Sequence, residues 1–402
     1  WQVDDQLGGG FVDIDDANVS DIYTGSTTAT LTLTGITVAQ NGYRYRAIAT
    51  ELSYACFPAI SNAALLTVDV TDPVIAINVV AVDDIINAVE DNSPVTISGT
   101  TDAEDGQIVT VNLNGNTYTA TVSSGNWTFD ISAAEAQALD PLETILANVS
   151  DLAGNAAPQA TRDIVHDVNA TIDISTPIEG DNIVNAAEDG DVTISGTTTD
   201  VEAGQTVTVT FDDGTNPVVT TTATVNTDGS WTASDVDISG LNNGAITVTA
   251  DVTDVAGNPA TDNDPITLEN TIPTIDITTP IEVDDIVNAV EDGDVTISGT
   301  TTGVEDNQTV TVTFSDGTDT VTTTATVTGN AWTATDADIS GLTNGAITVT
   351  ADVEDLAGNP ATDNNPITLD NSIPTIDITT PIEGDDIVNA AEDGDVTISG
   401  TT

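Results

Sequence analysis

The chain has 402 residues, carries three Lys plus Arg against 66 Asp plus Glu, and has a net charge of −63 with 39% hydrophobic residues. That balance excludes a phosphate-backbone binder, which needs clustered Lys or Arg, and a module that docks on anionic membranes. One histidine, His166, and no lysine leave little for general acid–base or covalent catalysis, while ordinary apolar content excludes a disordered acidic tail.

At roughly 100–150 residues per domain, the length predicts three or four domains. No run of about 18 apolar residues occurs, so no membrane-spanning helix is expected. No charged stretch followed by an apolar one opens the chain, and an export signal is expected outside it.

Residues 1–70 read as strands C to G of an immunoglobulin-like module. Alternation is clear in Ala29–Gly35, Asn41–Thr50 and Ala63–Val70. Tyr43 stands where a tyrosine corner would stand, and Trp1 where the strand-C tryptophan would, so strands A and B are expected before residue 1. Asp13, Asp15 and Asp16 suggest a calcium loop, but Asn18 and Thr24 occupy the sixth and twelfth positions, which excludes an EF-hand. Cys56 has no partner in the chain; it either pairs with a cysteine upstream or is a free thiol.

From residue 71 onward the chain repeats itself. The string I-S-G-T-T begins at Ile97, Ile194, Ile297 and Ile398, and N-A-x-E-D begins at Asn87, Asn185, Asn288 and Asn389. D-x-A-G-N begins at Asp151, Asp254 and Asp355, and one tryptophan per repeat follows the same rhythm: Trp127, Trp231 and Trp332. A period near 100 residues is that of whole domains in series, giving repeats at 71–170, 171–273 and 274–374, with a part-repeat of strands A and B at 375–402. Within 171–273, seven stretches alternate apolar residues with Thr: Thr171–Thr176, Asp191–Thr198, Thr206–Phe211, Val218–Val225, Trp231–Ser239, Ala245–Val252 and Asp264–Asn270. Branched Cβ atoms favour the pleat, and Asp-Gly, Gly-Ser and Asn-Gly pairs supply turns. Seven short strands in about 100 residues predict an all-β array of tandem immunoglobulin-like sandwiches. The one helical signal is a turn at Ala133–Leu139. The tryptophans, each opening strand E, are expected in the core rather than as sugar platforms.

Topology places the acids. In such a sandwich the A–B loop lies at the exit pole and the F–G loop at the entry pole. The acid-rich A–B loop of one repeat therefore faces the D-x-A-G-N loop of the next, across an acidic linker. At one junction the set is Asp181, Asn185 and Glu188, then Glu269 and Asn270, then Asp355 and Asn359. The preceding junction has Asp83, Asp84, Asn87, Glu90, Asp167, Asp254 and Asn258; the following one has Asp284, Asp285, Asn288, Glu291 and Asp370; the first D-x-A-G-N loop adds Asp151 and Asn155. Two carboxylates 5 Å apart repel by about 3 kcal/mol at an effective dielectric of 20, and a hard cation with six to eight oxygen ligands reverses the sign. These residues are accordingly expected to hold Ca2+ and stiffen the array. Two bland readings stay open: solvated or salt-adapted surface, and, for the D-x-A-G-N aspartate, an Asx turn bonded to its own loop. His166 is expected as a solvated linker residue or a junction contact. Carboxylate pairs are too numerous to mark a glycosidase.

The run Ile382–Thr402, the D-x-A-G-N loops and the Pro-bearing linkers together resemble the bacterial immunoglobulin-like repeats of giant secreted adhesins and biofilm-associated proteins, over about Val70–Thr402. The resemblance implies a secreted or cell-surface stalk, often with Ca2+ at domain junctions, that extends a tip whose ligand is a host, surface or glycan. The linkers Glu269–Thr274 and Asp370–Thr375 depart from the D-T-T-A-P pattern usual in that family. The expected role is mechanical and non-enzymatic, with neighbouring repeats as partners and no nucleic-acid or membrane contact. Rival readings are a self-assembling filament or surface layer, and direct recognition of glycan or protein by the repeats.

Overall fold

A computed structural model describes residues 1–16, 22–50, 57–391 and 393–402. Cys56 and Asn18 lie outside the described residues. The chain forms two compact units: residues 1–169 with Ala256–Asn258, and 170–255 with 259–402.

The repeat at 171–273 explains the rest. Its strands are Thr171–Ile174, Ile183–Asn185, Val192–Thr199, Thr206–Asp212, Val219–Thr224, Ser230–Val236, Gly244–Thr253 and Pro259–Glu269. In immunoglobulin lettering these are A, A′, B, C, C′, E, F and G. A, B and E make a three-stranded sheet; A′, G, F, C and C′ make a five-stranded one. Alternation drives the packing: Val207, Val209 and Phe211 are fully buried, while the threonines between them stay half-exposed or exposed. The two inner faces meet in one core, with Ile194, Trp231, Ile246, Val248 and Leu268 at its centre.

Two departures from expectation stand out. The A–B segment is not a plain loop: Ile183–Asn185 is a strand, paired in parallel with Thr267–Glu269. The fourth stretch, Val219–Thr224, pairs among the described residues with Thr206–Asp212 alone, at the edge of the five-stranded sheet, so it is C′. The repeat at 274–374 has the same eight strands and the same two sheets.

The recurring glycine of I-S-G-T-T has a packing reason. Gly196 stands opposite Trp231 across the B–E ladder. A Cβ there would collide with Asp173 O and with the indole ring of Trp231. Gly99 with Trp127 and Gly299 with Trp332 repeat the arrangement. The three indoles are buried in the cores as expected, and each Nε1 lacks a hydrogen-bond acceptor.

In the first unit, the repeat between Ile75 and His166 keeps both sheets and adds a short helix, Ala133–Ala136, capped by Ser132 and Glu135. Before it, Gln2–Asp4 pairs with Val12–Asp13 and Arg44–Arg46, and Arg44–Arg46 pairs with Ala64–Leu65. That is the C′–C–F–G order. The buried tyrosine of strand F is Tyr45, not Tyr43; its hydroxyl lies 3.2 Å from that of Tyr23. Among the described residues of 375–402 there is one ladder, Asp377–Ile378 with Gly400–Thr401.

Candidate inter-repeat interface

The two motifs singled out by recurrence meet in space, and the second unit contains a full example. The N-A-x-E-D segment begins at the last residue of strand A′. Glu188 Oε2 accepts from Asn185 N–H (3.0 Å), and Asn185 Oδ1 accepts from Ala187 N–H (2.9 Å). This reciprocal capping closes the turn. It leaves the Asn185 amide NH2 and the Ala186 N–H facing outward.

The D-x-A-G-N segment is the F–G turn of the next repeat. Both oxygens of Asp355 are used inside it: Asn359 N–H donates to Oδ1 (2.8 Å) and Asn359 Nδ2 donates to Oδ2 (2.9 Å). Glu305 reaches in from the B–C loop and accepts from Leu356 N–H (2.8 Å). Gly358 has φ +88, a left-handed value that glycine takes without a Cβ clash.

The two turns interlock. Asn185 Nδ2 donates to Ala357 O (3.2 Å), and Ala186 N–H donates to Asn359 Oδ1 (2.8 Å). Asn359 Nδ2 also donates to Glu269 O of the linker (2.9 Å). Asn359 is only 1% exposed. A Cβ on Gly358 would lie 3.6 Å from Asn185 Nδ2, in ordinary van der Waals contact, which places the two turns side by side. Partner identity fixes the amide orientations: an N–H faces each Oδ1 and a carbonyl faces each Nδ2. In the first unit, likewise, Asn87 Nδ2 donates to Ala256 O (3.0 Å), Ala88 N–H to Asn258 Oδ1 (2.9 Å) and Asn258 Nδ2 to Asp167 O (3.0 Å).

Asn185, Asn359, Asp355 and the Glu269 backbone thus converge. Asn87, Asn258 and the Asp167 backbone converge in the same way in the first unit, and most of the remaining expected ligands make local bonds. Asp83, Asp181 and Asp284 each accept from the backbone N–H two residues on. Asp84 is held by a two-pronged contact from Arg162 (2.6 Å for each prong), which keeps its carboxyl below the usual range. Asp285 Oδ1 accepts from Ile281 N–H, and Glu90 and Glu291 cap their own turns. Glu269 Oε1 accepts from Asn243 Nδ2 (2.7 Å), Asn270 Nδ2 donates to Asp189 Oδ2 (2.7 Å), and Asp370 Oδ1 accepts from Ser372 N–H. Asn155 Nδ2 reaches Asp69 O (3.3 Å) and Asp151, whose carboxyl it holds below the usual range together with loop amides. Asp254 and Asn258 are buried. Asn288 keeps the turn geometry of Asn185, with Val290 N–H on its Oδ1, but it and Ala289 are exposed.

For Ca2+, the oxygen donors are of the right type, and Glu269, Glu305 and Asp355 line one cleft of about 350 Å³. Among the described residues, however, no three acidic side chains converge closely enough to form a coordination shell. Glu305, with its equivalents Glu104 and Glu202, was missed in the sequence. Each accepts from the second residue of a D-x-A-G-N turn (2.8–2.9 Å). Its signal was the recurrence of A-E-D-G-Q, V-E-A-G-Q and V-E-D-N-Q.

His166 is a strand residue, not a linker residue. It ends Ala160–His166, with its side chain 9% exposed, Nδ1 3.0 Å from Leu139 O and Nε2 3.4 Å from Asp91 Oδ2. Asp16 is bonded by Gly25 and Ser26 amides rather than arranged with Asp13 in a loop.

No family model and no curated protein matches the chain. Solved structures do. A segment of a 1.5-MDa bacterial ice-binding adhesin is 28% identical, over 75% of this chain and 98% of that one, at a TM-score of 0.38. A Ca2+-stabilized adhesin with which an Antarctic bacterium binds ice is 30% identical, over 82% of each chain, at 0.36. A tetra-tandem repeat from the extending region of a large adhesion protein is 29% identical, over 82% and 81%, at 0.29. The fold and the recurring interface define a tandem array of immunoglobulin-like sandwiches. On 30% identity across four-fifths of both chains, this chain belongs to the tandem immunoglobulin-like repeats of large bacterial adhesins. The sequence identity, not the overall superposition, carries that assignment.

Proposed function

We propose that this chain is a non-enzymatic spacer of a bacterial cell-surface adhesin, carrying a binding tip away from the cell. The observation that supports it best is the direct seating of one repeat on the next through Asn185 and Asn359. Near-copies in series, each with its own core, suit reach; a recognition face is expected to be unique to one repeat. The net charge of −63 keeps neighbouring chains apart and soluble. Calcium belongs to the same reading. The cleft between Glu269, Glu305 and Asp355 is where it would act, drawing together carboxylates that otherwise repel.

Small-angle scattering of the whole chain tests the calcium part. In millimolar Ca2+ the maximum dimension is expected to be sharp and long; excess EDTA is expected to broaden and shorten it. An identical profile in both sinks the calcium role. Saturable glycan or protein binding by the purified repeats would instead sink the spacer reading.

A further inference from the structure

We propose that N-A-x-E-D and D-x-A-G-N are socket and plug of one self-recognising contact, in which two side-chain amides set how a repeat seats on the one before it.

Each motif position then has a reason. In the socket, the Asn185 oxygen closes its own turn while its NH2 is turned outward to Ala357 O. Small Ala186 lets its N–H reach Asn359 Oδ1. In the plug, buried Asp355 fixes Asn359 by two hydrogen bonds. Gly358 takes the positive φ that the turn requires. Asn359, 1% exposed, spends its oxygen on the socket and its NH2 on the linker carbonyl and Asp355. A buried amide with every group satisfied is directional: an altered partner leaves a donor or acceptor unpaired, which costs more than the bond itself was worth. The three bonds across the contact each join a side-chain amide to a backbone group, so a carboxylate in place of either asparagine sets an oxygen against a carbonyl. The four N-A-x-E-D strings and three D-x-A-G-N strings are, on this argument, one interface written repeatedly. The exposed Asn288 turn is a further socket of the same shape.

The decisive substitution is Asn185→Asp in the full chain. It keeps the oxygen that closes the local turn and replaces only the outward NH2, setting an oxygen against Ala357 O. Amide hydrogen exchange at Ala186 reads the contact directly, with Ala289 as the exposed equivalent. In the 402-residue chain, in calcium buffer, Ala186 is expected to exchange more slowly than Ala289, by about tenfold or more. In the Asn185→Asp variant that protection is expected to fall by on the order of tenfold, while amides of Gly244–Thr253 keep theirs and show that the repeat stays folded. Asn185→Gln, with its NH2 displaced by a methylene, is expected to lose protection as well. Equal exchange at Ala186 and Ala289 in the 402-residue chain would overturn the proposal. So would an Asn185→Asp variant as protected as wild type or more so, the outcome expected if a cation on carboxylates alone closed the junction. The chelation experiment above leaves these arms untouched, so the two ideas fail separately.

Discussion

At the scale of single residues, the repeats constrain one another by comparison. Gly99, Gly196 and Gly299 each lie under a tryptophan, with no room for a methyl group. Gly299→Ala is expected to destabilise its repeat by about 3 kcal/mol, an overpacking cost at the high end because backbone and indole both block relief; denaturant midpoints check it. Glycine alone could not have been read this way from sequence, because the B–E register that faces it with tryptophan is set by tertiary pairing. Arg162 shows a different exchange. Its register equivalents are Asp264 and Asn365, and the equivalents of its partner Asp84 are Asn182 and Asp285. By register the two positions hold Arg and Asp, Asp and Asn, and Asn and Asp, so they never both carry a carboxylate. Where acids do meet, the cost is visible: a hydrogen bond to Asp235 and repulsion from it push the Asp191 carboxyl up. A raised pKa means the folded repeat is penalised above it and relieved as pH falls through it. Asp191→Asn is therefore expected to raise the melting temperature of the 171–273 repeat at neutral pH and to leave it unchanged near pH 3, in a paired thermal scan.

At the scale of elements, strands were legible and their partners only partly so. Alternating Thr and Val over Thr206–Phe211 or Ala245–Val252 announces a pleated, one-sided surface without ambiguity. Strand A′ was not legible: three residues, Ile183–Asn185, sit among acids and turn formers, and only the parallel bond to strand G makes them a strand. Topology did place the A–B and F–G turns together. It could not say that amide groups rather than carboxylates would occupy the contact, because the direction of an Asn side chain depends on which turn closes on its oxygen. The loops of the C–C′ connections behave alike in two repeats. Asp213 accepts from the backbone of Asn242 and Asn216, and Asp316 from Asp319 and Thr343, which lowers both carboxyls well below their ordinary range. A depressed pKa gives stability that is present above about pH 4 and lost as pH falls through the folded value. These loops thus oppose Asp191 in sign, and acid loosens them while it relieves that acid just before strand B.

For the whole chain, charge is the governing quantity. With −63 spread over surfaces and loops, self-repulsion acts at every separation shorter than the screening length. Raising NaCl from about 0.01 M to about 1 M shortens that length from about 30 Å to about 3 Å. Melting temperatures are expected to climb smoothly over that range. A further rise at millimolar CaCl2, on a background already saturated with NaCl, separates site binding from mere screening; its absence would favour the salt-adapted surface.

The short parallel pair between Ile183–Asn185 and Thr267–Glu269 carries one more consequence. It ties a segment near the start of the repeat to the segment at its finish, side by side and pointing the same way. A pull on the two ends of the repeat drags these strands past each other lengthwise. Their hydrogen bonds are then sheared together rather than unzipped singly, so each of the three repeats that carry this pair has a built-in catch against tension.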